Sequence, residues 1–372
     1  MTPILIAAGG TGGHMFPALA LARCLLERGE PVTVVTDDRG ARFLPDDIDC
    51  HVIQAGSPSG SLKARLTGIV ALLRGTVQTL GLMRRLKPRA AACFGGYASV
   101  PAGLAARFTG CPLLLHEQNA VFGRANRLLA RFAHTIALSF ARTSHVPAGP
   151  SLIVTGNPVR PGFRLDAAAF RAPAATEPFR LLVIGGSQGA RIFSDVVPEA
   201  VARLPEPARR RLRIQQQCRP EDLNRVCERY AANGIDAEVT AFFKDMPTQL
   251  EQTHLLVSRA GASSQTEIMA TGRPAILVPY AAAADDHQRA NAEVLAAAGG
   301  CVCILQAQFD AETLRAELEA LMTDSGRLEA MAAAARDHYQ EDAASRLADA
   351  VLAMLPAGAR VDAPLSRPEA AR

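Results

Sequence analysis

"ILIAAGGTGGHMFPALA" (residues 4–20) and "RLLVIGGSQGARIFSDVV" (residues 180–197) share one layout: an apolar run, a glycine turn, then a helical pattern. Gly9, Gly10 and Gly13 fall on Gly185, Gly186 and Gly189, and Thr11 falls on Ser187. A strand that ends in Gly-Gly-x-x-Gly and enters a helix brings backbone N–H groups to the positive end of the helix dipole, a place that suits a phosphate. Glycine serves there because a side chain would hold the anion away from the backbone and because the turn can require positive φ. A second pair of segments repeats as well. "CFGGYASVPAGLAARFTGCPLLLHEQ" (93–118) and "VSRAGASSQTEIMATGRPAILVPY" (257–280) each read as strand, small-residue turn, helix, Gly-x-Pro and strand. Strands alternating with longer helical patterns predict parallel α/β sheets, here two Rossmann-like domains in tandem.

Length and composition agree. A chain of 372 residues with 49% hydrophobic residues can bury two cores. Its 40 basic against 36 acidic residues give +4, without the basic bias of a dedicated nucleic-acid binder, so no nucleic-acid partner is expected. Eight scattered cysteines form no C-x-x-C pair and read as reduced thiols in a cytosolic compartment. "ILIAA" is too short for a signal peptide, and no apolar run is expected to reach the roughly 20 residues of a bilayer span. "VTGNPVRPGF" (154–163) is the expected linker, at the floor of a cleft. One or two alanine-rich helices are expected near the C-terminus, before a tail poor in large apolar residues.

The first loop carries His14. A histidine at a helix start favours the neutral ring, which can accept a proton as a general base; a capping or packing role is the structural alternative. Asp47-Ile48-Asp49 has D-x-D spacing, but it sits in a polar turn, so no metal site is expected. "AAGGTGGHMF" fits G-x-G-x-x-G only loosely, with Met15 where the third glycine belongs, although Asp37 stands near the position of a ribose-binding acid. An NAD-dependent oxidoreductase therefore stays open. "SLKARLTGIVALLRGTVQTLGLMRRLKPR" (61–89) mixes leucine and valine at helical spacing with seven basic residues and no acid. Such a segment suits an anionic membrane surface, or forms an ordinary helix with a solvated basic face.

"GGTGGHMFPALALA", "GGYASVPAGLAA", "HEQNAVFGRANR", "GNPVR", "GGSQGA", "SRAGASSQTE" and "DDHQRANA", in this order from residue 9 to about 292, resemble the lipid-linked N-acetylglucosaminyltransferases of peptidoglycan synthesis, glycosyltransferase family 28. The resemblance implies a GT-B fold, two Rossmann-like domains facing across a cleft, with an acceptor and membrane side in residues 1–155 and a UDP-sugar side in 164–335. It leaves C-terminal helices in 336–355, expected to pack back on the first domain, and a disordered tail, 356–372. It implies inverting transfer of N-acetylglucosamine from UDP-N-acetylglucosamine (UDP-GlcNAc) to the C4 hydroxyl of undecaprenyl-diphospho-N-acetylmuramoyl-pentapeptide, lipid I becoming lipid II. The location implied is peripheral, on the cytoplasmic face of the inner membrane, with cell-wall synthesis proteins as partners and no cofactor.

Carried over by position, Thr11, Gly12, Gly13 and Asn119 would line the donor, Arg160 would reach the nucleotide and Ser187 a phosphate. Phe243 would offer its backbone to uracil, Glu267 would bind the ribose hydroxyls and Gln288 would hold the sugar. His14 would be the base, with Glu117 a second and structural candidate. Another UDP-sugar enzyme of this architecture, such as an epimerase, and a non-catalytic membrane scaffold remain alternatives.

Overall fold

The structure, a computed structural model, describes residues 2–58, 60–160, 162–163, 170–186 and 189–356. Ser187 and residues 357–372, where the disordered tail is expected, lie outside the described residues. The chain divides into two units: Met1–Gln118 with Phe122–Pro158 and Asp342–Arg372, and Asn119–Val121 with Val159–Glu341.

The first unit holds a sheet of strands β1 (Ile4–Ala7), β2 (Val32–Thr36), β3 (Cys50–Val52), β4 (Ala91–Cys93), β5 (Leu113–Glu117), β6 (Thr135–Leu138) and β7 (Ser151–Val154). Its helices are α1 (Gly12–Glu27), α2 (Asp38–Ala41), α3 (Leu62–Leu86), α4 (Ser99–Thr109) and α5 (Arg124–Leu129). The second unit holds β8 (Phe179–Ile184), β9 (Leu212–Gln217), β10 (Ala237–Thr240), β11 (Leu255–Ser258), β12 (Ala275–Leu277) and β13 (Cys301–Cys303). With them come α6 (Arg191–Ala202), α7 (Glu206–Arg211), α8 (Leu223–Ala232), α9 (Met246–Gln252), α10 (Ala262–Thr271), α11 (His287–Ala297), α12 (Ala311–Thr323) and α13 (Ser325–Asp337). The last helix, α14 (Ala343–Ala353), returns to the first unit.

The strand orders are β3-β2-β1-β4-β5-β6-β7 and β10-β9-β8-β11-β12-β13. Renumbered from its first strand, the second sheet repeats the order of the first six strands of the first. Every pairing is parallel. In a parallel sheet covered on both faces a central strand is buried on both sides, which is why "ILIA" has no polar residue. Ile4 and Ile6 enter one core cluster, Leu5 and Ala7 the other, at the strand period of two. The glycine loops leave β1 and β8 where the strand order reverses, the position at which open α/β sheets bind ligands.

The second internal repeat is as regular. β4-α4-β5 and β11-α10-β12 are strand–helix–strand units, and both helices end on a left-handed glycine, Gly110 at φ 70° and Gly272 at φ 57°.

The helix α3 corrects one expectation. Between Arg65 and Arg84 its only charge is Arg74, and it is long and apolar enough, by length and composition, to cross a membrane. It packs beside α4 on its small-residue side: Gly68, Gly75 and Thr79 are buried, with Leu82 and Met83 at its end. A methyl on Gly75 would overlap the Gln54 carbonyl oxygen. The large side chains Leu62, Leu66, Ile69, Val70, Leu73 and Val77 face out. Of the seven basic residues of the segment, Arg89 is spent on the fold, paired with buried Glu30.

Candidate functional site

In the first unit the site forms where the loop after β1 meets the loop after β4. Gly10 turns at φ 83°, and Gly186 has the same φ of 83° in the second unit, so the repeated glycines make one turn twice. The loops then part. α1 starts at Gly12, whereas Gly189 sits at φ 67°, a left-handed conformation that cannot begin a helix, and α6 starts only at Arg191. Thr11 is exposed, Gly12 buried and Gly13 half-buried. Neither α1 nor α6 has a side-chain cap at its N-cap or an acid in its first turn, and α10, entered from Gly261, shares both features. Three helix dipoles thus begin without a negative side chain of their own.

Asp37 has another task than the one an NAD enzyme would assign it. Its Oδ1 accepts from the Gly10 amide at 2.8 Å and the Gly40 amide at 2.9 Å, and Arg39 donates to Oδ2. Burial alone would raise this carboxyl, but the two amides and Arg39 outweigh it and hold it below the usual carboxylate range. The acid near the ribose position anchors the glycine loop. Asp47 and Asp49 take separate partners, Arg23 and the Thr33 hydroxyl.

His14 is half-buried in the first turn of α1. Its Nδ1 lies 3.1 Å from Gln118 Oε1. The imidazole lies against the Gly95–Gly96 backbone: a Cβ on Gly96, whose φ is 70°, would stand 3.3 Å from His14 Cδ2. Gln118 Nε2 donates to the Phe94 carbonyl oxygen and to His116 Nδ1, each at 3.0 Å. Glu117 is buried and points elsewhere. Its Oε2 accepts from the Gly123 amide and Asn126 Nδ2, both at 2.8 Å, which ties down the turn into α5.

In the second unit Arg160 Nε donates to Glu267 Oε1 at 2.6 Å, and the guanidinium stands over the Phe163 ring. Glu267 is 7% exposed. Burial pushes its carboxyl up and Arg160 opposes that. Asn119, grouped with the second unit, accepts from Asn291 Nδ2 at 3.1 Å, while Asn291 Oδ1 takes the Ala120 amide at 2.8 Å. Gln288 lies on the same helix, α11, and accepts the Tyr280 amide at 3.0 Å. Phe243 has a buried ring and makes no hydrogen bond with Glu267 or Gln288. The structure therefore joins Arg160 to Glu267 and links Asn119 to the helix of Gln288. Gln118, His116, Gly96 and Asn291 are the site residues that sequence reading did not single out, although each lies inside a motif.

A family model for the glycosyltransferase family 28 N-terminal domain matches residues 4–138, and one for the family's C-terminal domain matches residues 180–347. A protein of Paramagnetospirillum magneticum is 47% identical over 95% of this chain and 97% of its own length. The chain belongs to glycosyltransferase family 28. That relative is named UDP-N-acetylglucosamine--N-acetylmuramyl-(pentapeptide) pyrophosphoryl-undecaprenol N-acetylglucosamine transferase. A protein of Rhodospirillum centenum with the same name is 48% identical over 95% of this chain and 94% of its own. The crystal structure of MurG from Acinetobacter baumannii is 32% identical, with TM-score 0.79, covering 95% of this chain and 100% of that one. The two parallel-sheet units are thus the paired Rossmann-like domains of a family 28 glycosyltransferase, as the motifs implied.

Proposed function

We propose that the chain transfers N-acetylglucosamine from UDP-GlcNAc to the C4 hydroxyl of undecaprenyl-diphospho-N-acetylmuramoyl-pentapeptide with inversion, turning lipid I into lipid II. One observation carries the reading: near-full-length identity of 47% to a transferase named for these substrates. The geometry supports it. Arg160 occupies only Oε1 of Glu267, and Oε2, without a hydrogen bond among the described residues, suits a ribose hydroxyl donor. Asn119, Phe243 and Gln288 complete the donor contacts, with Thr11, Gly12 and Gly13 toward the diphosphate and sugar and Ser187 at a phosphate. The acceptor hydroxyl attacks the anomeric carbon, His14 takes its proton, and UDP leaves with its charge met by amides at helix starts and by Arg160.

The outward face of α3 supports a peripheral position on the cytoplasmic surface of the inner membrane. Its exposed leucines and valines, together with Phe108 at 70% exposure, supply apolar contact in a chain without tryptophan. Lys63, Arg65, Arg74, Arg84, Arg85 and Lys87, all exposed, attract anionic headgroups. Other proteins of cell-wall synthesis are the expected partners there. Labelled UDP-GlcNAc incubated with lipid-linked muramoyl-pentapeptide should carry label into the lipid phase; well-folded protein that releases no UDP and transfers no label would refute the reading.

A further inference from the structure

We infer that Gln118 is a positioning residue that sets the tautomer of His14, so that Nε2 is the ring nitrogen offered to the acceptor hydroxyl. This rests on the reading of His14 as the base. The Phe94 carbonyl oxygen can only accept. It lies 3.0 Å from Gln118 Nε2, so the amide has one orientation: nitrogen toward Phe94, oxygen toward His14. Gln118 Oε1 can also only accept. The proton of a neutral His14 ring is therefore on Nδ1, and Nε2 keeps the lone pair.

The remaining hydrogen of Gln118 Nε2 goes to His116 Nδ1 at 3.0 Å, which requires that nitrogen to be bare. His116 then carries its proton on Nε2 and donates it to the Gly156 carbonyl oxygen at 3.1 Å. Burial pushes His116 down to about 4, against the opposing pull of the Gly156 bond, so the ring is neutral as the network demands. The Gly156 carbonyl oxygen can only accept, which fixes the His116 proton on Nε2; the His116 carbonyl oxygen, 3.4 Å from Gln118 Nε2, and Ser139 Oγ, 3.4 Å from His116 Nε2, are longer second contacts that leave both ring tautomers unchanged. His116 and Gln118 are buried at 0% and 2% exposure, and the Gly95–Gly96 turn sets the His14 ring against the loop backbone.

The consequence is chemical. Free neutral imidazole of histidine favours the proton on Nε2, the reverse of what Gln118 imposes. As the new C–O bond forms at the anomeric carbon and the bond to the UDP oxygen breaks, that oxygen leaves with the electron pair. The acceptor proton moves to His14 Nε2, and the resulting imidazolium keeps its Nδ1–H on Gln118 Oε1. A neutral amide orients the ring without placing a carboxylate beside the base, as a serine hydrolase does with its aspartate.

Long-range proton–nitrogen spectra of the full chain labelled with 15N-histidine test this directly. In the wild type the neutral His14 ring should show a protonated Nδ1 and a bare Nε2. Gln118→Leu should reverse the pattern and lower kcat by roughly 10²-fold with donor KM within about twofold, the signature of a lost base rather than a lost ligand. Gln118→Glu, which keeps an acceptor oxygen toward His14, should retain the wild-type pattern. A wild-type ring protonated on Nε2 would overturn the inference even if no variant folds, as would a Gln118→Leu spectrum identical to the wild type. His14→Ala separates the two readings: wild-type turnover in that variant removes the base assignment, while the spectra alone decide what Gln118 does to the ring.

Discussion

Glu267 sits between two opposing effects, burial that favours its protonated form and an arginine that favours the carboxylate. Removing Arg160 leaves burial unopposed, so the proton is held to higher pH than in the wild type. A donor whose ribose hydroxyls bond the carboxylate binds best above that titration and loses affinity as pH falls through it. Arg160→Met should therefore weaken UDP binding at every pH through the lost contact, and in addition move the acid-side loss of affinity upward. Calorimetric titrations from about pH 5 to about pH 8 read this, spanning the range where a raised carboxylate titrates. A constant ratio of variant to wild-type affinity across that range would show that Arg160 does not hold the carboxylate ionised. At this scale the sequence was legible where a residue acts through its own backbone or charge: Gly10 and Gly186 share a φ of 83°, and His14 stands at the helix start. Gln118 was legible as part of "HEQN" but not as an orienting group, because its amide is fixed by Phe94, 24 residues away along the chain. Asp37, which stands near a ribose-binding position in the sequence, is held by the amides of Gly10 and Gly40, the first of them 27 residues away along the chain.

The helix α3 shows how an element can be predicted while its orientation is not. Leucine and valine at helical spacing ordinarily mark the inward face. Here the inward face is made of Gly68, Gly75 and Thr79, since glycine lets the helix backbone approach the segment after β3, where a Cβ on Gly68 or Gly75 would overlap a carbonyl. Leu62, Leu66, Ile69, Val70, Leu73 and Val77 turn outward as a result, beside a basic fringe that is free of acid. Leu73 and Val77, at 62% and 71% exposure, lie one turn apart on that outer face. Replacing both with glutamate should reduce binding to vesicles containing anionic lipid by at least about tenfold, from lost apolar insertion and added repulsion. Stability should change by no more than about 0.5 kcal/mol per site, because neither side chain is buried. Vesicle sedimentation alongside chemical denaturation separates the two effects. Undiminished binding by a folded double variant would move the membrane contact to another surface.

The order of the chain and the order of its cores differ. Both sheets and their helices follow the repeat read from "GGTGG" and "GGSQG", yet the first core is not completed by the first half of the sequence. Leu347, Ala348 and Val351 of α14, each 0% exposed, pack in the cluster that contains Ile4, Met15 and Leu21. Arg28 at the end of α1 donates to Asp349 at 2.6 Å and to the Ser345 carbonyl oxygen at 3.3 Å, fastening the helix ends. The alanine-rich pattern made a helix evident in the sequence; its address rests on apolar complementarity to α1, which no local signal encodes. Leu347→Ala should cost about 2–5 kcal/mol, the range for deleting a buried leucine side chain, and the cost should fall on the first unit. Hydrogen exchange of the full chain reads its location: protection should drop across β1, α1 and β4 and hold in β8 and β11. If the loss were confined to α14 itself, the helix would be a passenger on a core that stands without it. The expected result instead makes residues near the C-terminus part of the scaffold that positions His14, because α1 carries that residue at one end and leans on α14 along its length.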